Sequence, residues 1–347
     1  MTEGRVDLVG LLREEVEALM KELGEPPYRG RQLFQWVQAR RALDTDAMTS
    51  LPRTLRAVLA GRVRIGRLEA IRVQRARDGT RKYLFRLSDG EEIESVLIPD
   101  DGRLTACIST QAGCPLACRF CLTGLMGLRR NLVAGEIVGQ ILALQDGLEQ
   151  GERISNIVLM GMGEPLLNFP QVERALRILS DGYGANFSPR RITLSTAGHV
   201  PGIRKLAASD LGVNLAVSLS ATTDKVRDRI MPINQRWPIA ELLKVCRGYP
   251  LPNRRRLTFE YVMLDGVNDS GDDARRLVGL LRGTRCKINL IPFNSAPELP
   301  DRPSPRPRVE AFQRILHDAG LTATIRESRG WEISAACGML RTEKEKA

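Results

Sequence analysis

The run LVGLLREEVEALMKELG carries apolar residues at helical spacing and stops at Gly24, a C-cap by residue type. RGRQLFQWVQARRAL repeats the pattern. TSLPRTLRAVLAG predicts a third helix, with Ser50 as its cap and Gly61 as its stop. From Ile71 to Pro99 the pattern turns to strands: KYLFRL, a turn at Asp89–Gly90, then EEIESVLIP. Beyond Gly102 strands and helices alternate. The strand candidates are LTACIST, ISNIVLMGM, RRITLST, LGVNLAVSLSA, RLTFEYVML and KINLIPF. The helical stretches are AGEIVGQILALQDGL, FPQVERALRIL, one near GIRKLA, IAELLKVCRGY, SGDDARRLVGLLRG and RPRVEAFQRILHDAG. Such alternation builds a parallel sheet, so six units predict an α/β fold with a partial (β/α)6 barrel. The expected organisation is a helical domain at 1–70, a short β extension at 71–102, the barrel at 103–330 and a C-terminal loop at 331–347. The tail RTEKEKA is charged and expected to fray.

Composition narrows the setting. The 347 residues are 43% apolar, enough for a sizeable core. No run of eighteen apolar residues predicts a membrane span, and MTEGRVDLVG lacks the apolar stretch of a signal peptide. Seven cysteines is an odd number, and their spacing does not suggest a secreted disulfide framework. A reducing, cytoplasmic setting suits them. The net charge of +11 points to a polyanionic partner such as nucleic acid. Between Arg29 and Arg67 nine arginines face only Asp44 and Asp46, a local balance of +7. Arg254–Arg256 and Arg129–Arg130 are further basic runs. Charge alone also fits a solvated basic surface. The arginine excess over lysine favours phosphate, which a guanidinium fork matches.

The chemistry concentrates in GCPLACRFC, just after the strand LTACIST. Cluster irons are held by cysteine thiolates. The spacing of Cys114, Cys118 and Cys121 lets one loop wrap a cubane and leaves the fourth iron without a protein ligand. That iron can chelate the amino and carboxylate groups of S-adenosylmethionine (SAM). With Gly113, Phe120 and Gly127, the loop resembles the radical SAM superfamily. The resemblance implies a [4Fe-4S] cluster, SAM, a 5′-deoxyadenosyl radical and the partial barrel as the usual core. Zinc and inert buried thiols are the competing readings. A structural zinc site closes with four ligands, yet the only histidines, His199 and His317, are not near. Cys107, seven residues upstream of Cys114, lies inside an apolar strand.

In such barrels chemistry sits at the C-terminal ends of strands. GMGEP follows one strand, and its glycines permit close backbone approach. Glu164 puts a carboxylate there that could pair with the SAM ammonium. Ser195, Ser218 with Ser220, and Asn294 end three more strands. Each alone has a turn or cap as its usual role; together they point small polar groups at one rim. Cys337, in SAACGML, belongs to an accessible loop by composition, and Cys107 lies on the first barrel strand. Cys246 and Cys286 read as buried thiols.

ACISTQAGCPLACRFC, GLRRNL, VLMGMGEPLLN, RRITLSTAG, RDRIMPIN, FEYVMLDGVND, CKINLIPFN and AACG together resemble the RlmN-type adenosine C2 methyltransferases of 23S rRNA and tRNA, over nearly the whole chain. The resemblance implies that Cys114, Cys118 and Cys121 bind the cluster. It gives SAM to Gly163, Glu164, Ser195, Ser218, Leu219, Ser220 and Asn294. It makes Glu94 the acidic active-site residue, Cys337 the methyl-carrying cysteine and Cys107 its resolving partner. Departures are Ser220 where histidine is common, Leu128 where phenylalanine is common, and Trp331–Glu332 in place of an acidic pair. Adenine C2 is electron-poor and not a nucleophile, which explains a detour through a methylated cysteine and a transient disulfide. The implied partners are 23S rRNA, tRNA and an electron donor such as flavodoxin or ferredoxin, with a monomeric chain and no membrane. Competing readings are a Cfr-type adenosine C8 methyltransferase and a non-enzymatic iron–sulfur protein that binds RNA.

Overall fold

The computed structural model describes residues 5–342. All six expected barrel strands form: Arg103–Cys107, Ile154–Leu159, Ile192–Thr196, Asn214–Ser218, Leu257–Met263 and Cys286–Pro292. Each runs parallel to the next. A seventh, Ala323–Ile325, joins the far edge; three residues are too few to show a period. On the other edge Glu92–Asp100, Arg81–Arg86 and Glu69–Arg75 add in antiparallel order. One ten-stranded sheet therefore runs from the extension into the barrel. The parallel strands read as apolar runs because both faces are covered. In Leu257–Met263 only Val262 is not buried.

The six expected barrel helices are Ala134–Asp146, Phe169–Ser180, Val200–Ala208, Ile239–Arg247, Gly271–Leu281 and Arg306–Asp318. Periodicity missed Asp224–Ile230. DKVRDRI has no apolar stripe, and its buried face is filled by Arg227, 0% exposed, together with Ile230.

The N-terminal helices are Arg13–Glu22, Pro27–Gln38 and Arg53–Arg62. The first starts late because Leu8–Gly10 forms a separate 3-10 turn, capped by Asp7, whose Oδ1 accepts from Val9 N at 3.1 Å. Ser50 is not the cap of the third. Pro52 precedes that helix, and the Ser50 hydroxyl instead accepts from Trp36 Nε1 at 2.8 Å. Gly61 does not stop it either; the helix ends where Val63 pairs with Val6 in a short parallel ladder. Leu8, Val9, Met20 and Phe34 share one continuous apolar core with Ile137, Ile141 and Val172 of the barrel helices. The approach is close: a Cβ on Gly10 would meet Gly135 N at 2.9 Å.

Among the described residues no helix is long and apolar enough to cross a membrane. The expected frayed tail lies, from residue 343 on, outside the described residues.

Candidate active site at the barrel mouth

The cluster loop is held from behind by buried amides. Gln140 Oε1 accepts from Ser109 N and Ser95 Oγ, both at 2.7 Å, and its Nε2 donates to Ser109 O. Asn168 Nδ2 donates to the carbonyls of Thr110 and Leu132. Gln111 Oε1 accepts from Glu164 N at 2.8 Å, which ties this segment to GMGEP. The loop then turns at Gly113, φ 76°, where a Cβ would overlap Gly127 O at 1.9 Å, so only glycine fits. Cys114 N donates to Gly127 O and Cys121 N to Cys118 O. The sequence reading missed Gln140, Asn168 and Gln111; a polar residue inside an otherwise apolar helical run, as Gln140 is, was the available signal.

Cys114, Cys118 and Cys121 are half-buried and lie within one another's electrostatic field. Burial pushes the Cys114 thiol up to about 12, and Cys118 rises well above the usual thiol range for the same reason. Thiols desolvated as Cys114 and Cys118 are become thiolates only beside a strong positive charge, which bound iron would provide. Among the described residues no three His, Cys, Asp or Glu side chains converge on a single metal-ion position. The donor set fits the cluster.

Glu164 stands at the end of strand Ile154–Leu159, 2% exposed. Its carboxylate accepts from Ala197 N at 2.7 Å and Leu166 N at 3.1 Å, with a further hydrogen bond from Thr196. Burial outweighs these bonds and moves its pKa up to about 7. A buried carboxylate facing amides, with no cation in place, suits a ligand that brings one. Gly163 beside it has φ 98°, and a Cβ there would meet the Gln111 side chain at 2.6 Å.

The other predicted rim residues differ in what they present. Ser195 and Ser218 are half-buried at their strand ends. Leu219 is packed in the core, its N donating to Glu260 O at 3.0 Å and its carbonyl accepting from Ala221 N and Arg227 Nε. Ser220 is fully buried in a left-handed turn, φ 51°, and its Oγ accepts from Val262 N at 3.3 Å. Its hydroxyl is thus engaged away from the rim. Asn294 Nδ2 donates to Cys337 O at 3.1 Å, and its Oδ1 accepts from Ser328 Oγ.

Cys337 is exposed in the mouth, yet surrounding protein desolvates it and raises its pKa, with Glu260 adding to the rise. Its loop is fastened to the cluster loop: Leu122 N donates to Gly338 O at 2.7 Å and Thr123 Oγ1 to Leu340 O at 2.6 Å. Cys107, buried, lies within the field of Cys337, and burial pushes it up to about 12. All seven cysteines are free thiols. Cys246 and Cys286 are buried, as expected.

Glu94, on strand Glu92–Asp100, receives Lys82 Nζ at 2.8 Å and Arg341 N at 2.9 Å. Both partners of the ion pair are deeply buried. Burial still pushes Glu94 upward, opposed first by the Lys82 charge. Lys82 also donates to Ser334 O at 3.4 Å, so the pair touches the Cys337 loop from two sides. Beside it opens a cavity of about 860 Å³ whose lining includes Arg72, Lys82, Glu94, Trp331, Met339 and Arg341. It is large enough to admit a nucleoside.

The basic stretch is partly neutralised. Arg41 and Arg67 both reach Asp146, and Arg64 pairs with Asp7. Arg53 and Arg62 are exposed, Arg40 stacks over Trp36, and Arg13 and Arg31 stack on exposed Tyr183.

Residues 108–278 match the family model described as the radical SAM superfamily, and residues 6–65 match that of the ribosomal RNA large subunit methyltransferase N-terminal domain. A protein from Rhodospirillum rubrum named dual-specificity RNA methyltransferase RlmN is 53% identical, over 97% of this chain and 81% of its own length. One of the same name from Geobacter sulfurreducens is 51% identical, over 97% and 92%. The crystal structure of a radical SAM methyltransferase from Sphaerobacter thermophilus superposes with a TM-score of 0.93 at 48% identity, covering 97% of this chain and all of that one.

Proposed function

The chain belongs to the RlmN family of dual-specificity RNA methyltransferases, and from that premise we propose how its mouth performs the reaction. It is a radical SAM enzyme that uses a [4Fe-4S] cluster and SAM and methylates RNA. The product is adenosine methylated at C2, in 23S rRNA and in tRNA.

Cys114, Cys118 and Cys121 hold the cluster. Gly163, Glu164 and Asn294 bind SAM with the side chains of Ser195 and Ser218 and the backbone of Leu219 and Ser220. Cys337 gives up its thiol proton and accepts a methyl group from one SAM, which leaves as S-adenosylhomocysteine. A cluster held by Cys114, Cys118 and Cys121, together with a second SAM, would supply the radical chemistry that activates that methyl group. Once carbon is joined to C2, the adduct would return one electron to the bound cluster, and Glu94 takes the C2 proton. The Cys107 thiolate then attacks Cys337 sulfur; the S–C bond breaks with its electron pair on the methylene carbon, which takes up a proton to become the methyl group, the methylated RNA leaves and a disulfide remains. An external dithiol must reduce that disulfide before the next turn.

The observation that carries this reading is the fastening of the Cys337 loop onto the cluster loop with Cys107 close by. The target base leaves its stack to enter the cavity beside Glu94. Residues 1–70 form the basic domain that grips phosphates, 71–102 the extension that carries Glu94, 103–330 the barrel and 331–347 the loop that carries Cys337. The protein works in the cytoplasm, as a monomer, with flavodoxin or ferredoxin as electron donor.

The test is reconstituted protein with SAM, reductant and an rRNA fragment, followed by mass spectrometry of nucleosides. 2-Methyladenosine with 5′-deoxyadenosine is expected. 8-Methyladenosine would move the enzyme to the Cfr type. Absence of 5′-deoxyadenosine would leave only an RNA-binding protein.

A further inference from the structure

The motif RDRIMPIN contributes no residue to the reaction as described, yet it contains the most deeply buried charge of the mouth. Arg227 is 0% exposed. Its Nη2 donates to Ala197 O at 2.7 Å and Ser218 O at 2.9 Å, and its Nε to Leu219 O at 3.0 Å. Its Nη1 donates to Asn234 Oδ1 at 3.0 Å. None of these partners is a carboxylate. The nearest acids stand one group further out: Asn234 Nδ2 donates to Asp228 at 2.7 Å and to Asp224 at 3.0 Å. Arg227, Asp228 and Asn234 all come from the one motif.

A guanidinium removed from water without a direct counter-ion is costly. The fold places it where two functions meet. Ala197 accepts from Arg227 through its carbonyl and donates to Glu164 through its amide, so one peptide segment links the arginine to the SAM carboxylate. Ser218 and Leu219 are held by the same side chain. The helix that carries Arg227 also grips the cluster loop, since Ile230 O accepts from Arg119 N at 2.9 Å, between Cys118 and Cys121. Arg227 and the Cys118 thiol lie within each other's field. A cubane held by three thiolates carries net negative charge, so this fixed cation has its counter-charge there.

We propose that Arg227 is a positioning residue with two effects: it locks the carbonyls that end two SAM-binding strands, and it holds a permanent positive charge beside Cys118 that favours the reduced cluster. The proposal rests on the assignment of Cys118 and the Ser218–Leu219 segment made above.

The experiment compares wild type, Arg227→Lys and Arg227→Gln after anaerobic reconstitution. It counts iron, titrates the cluster potentiometrically by EPR, and measures the dissociation constant for SAM. Arg227→Gln removes the charge, so the midpoint should shift to more negative potential, and SAM should bind about tenfold more weakly. Arg227→Lys keeps the charge but cannot reach all four partners. Its midpoint should stay at the wild-type value while SAM binding weakens. A purely structural arginine would give the same midpoint in all three.

Where Arg227→Gln does not fold, the double swap Asp228→Asn with Asn234→Asp serves. It keeps net charge and moves one carboxylate directly onto the guanidinium, which should also make the midpoint more negative. Wild-type protein that holds no iron would overturn the cluster assignment itself. Wild-type protein with cluster and SAM cleavage, but variants of unchanged midpoint, overturns only the role of Arg227.

Discussion

Glu94 on the extension wall and Glu164 on the barrel wall are nearly equally buried, 3% and 2% exposed. Glu94 faces a cation supplied by the protein, Lys82 at 2.8 Å. Glu164 faces amides and a hydroxyl. A carboxylate that must be ready to take a proton needs its charge maintained before substrate arrives, so its counter-ion is built in. A carboxylate that binds a ligand's ammonium is completed by that ligand. Its poor solvation when empty makes the arriving cation more strongly held. In the reaction proposed above, the extension wall is preset for proton transfer and the barrel wall is left open for SAM.

The largest effects separate the walls outright. Cys118→Ala on the barrel side should abolish 5′-deoxyadenosine formation. Cys337→Ala should abolish methyl transfer to RNA, and mass spectrometry of wild-type protein from cells should find Cys337 already methylated. Cys107→Ala should differ from both: it reaches the covalent protein–RNA adduct and stops, so crosslinks accumulate on a denaturing gel with labelled RNA. Normal turnover by Cys107→Ala, with no crosslink, would remove the two-thiol mechanism.

The next effect tests the preset wall. Lys82→Met removes the charge that most lowers the Glu94 pKa, leaving Arg72 and the Arg341 amide against burial. The pKa therefore rises further, and the acid limb of the pH–rate profile should move to higher pH. Turnover at neutral pH should fall about a hundredfold, a typical general-base effect, and recover in part as pH increases. Lys82→Arg, which keeps the charge, should hold the wild-type limb. Stability should follow the same logic. Folded wild-type Glu94, raised above the usual carboxylate range, ionises before the variant's, so the variant's melting temperature should fall behind wild type as pH rises through that raised folded pKa. A limb that does not move would mean that Lys82 only holds Ser334.

The two walls were unequally legible. The cluster loop is local: three cysteines and Gly113 within one short run carry their chemistry in their spacing. Glu164 was legible because it ends a strand. Glu94 and Cys107 lie on neighbouring paired strands, but Cys337 comes from the far end of the chain, and their meeting depends on how the C-terminal loop folds back over the sheet. Only the family resemblance joined them. Lys82 sits in KYLFRL as an ordinary alternating residue, and nothing in that alternation says its ammonium is buried. Arg227 was hidden for the same reason: a charged residue in a short helix without an apolar stripe reads as surface. Ser50 and Gly61 misled because capping propensity is local, whereas the Trp36 indole and the Val6–Val63 ladder are not.

The open wall is tested by Glu164→Gln. The amide keeps the shape and one acceptor but loses the charge. SAM should bind about ten- to a hundredfold more weakly, the range for a lost charged hydrogen bond. Iron content should stay unchanged, because Glu164 is not a cluster ligand. Equilibrium dialysis measures the first and colorimetric iron assay the second. Equal SAM affinity in the variant would show that the barrel wall does not recognise the ammonium through this residue.

The smallest effect concerns the surface outside both walls. Arg41, Arg64 and Arg67 already pair with Asp146 or Asp7, so they add little to any long-range field. Arg53 and Arg62 are exposed at the two ends of one helix. If the helical domain grips RNA through phosphates, each contact releases counterions, and the slope of log affinity against log salt drops by roughly 0.7–0.9 for each one lost. Arg53→Gln with Arg62→Gln should therefore flatten the slope by about 1.5 and weaken binding mainly at low salt. Arg64→Gln should leave the slope unchanged, because its charge is already held by Asp7. Filter binding of labelled RNA at several salt concentrations measures both. Equal slopes in the double variant and wild type would place the RNA contact elsewhere and make this helix a solvated basic face, while the chemistry of the two walls would stand.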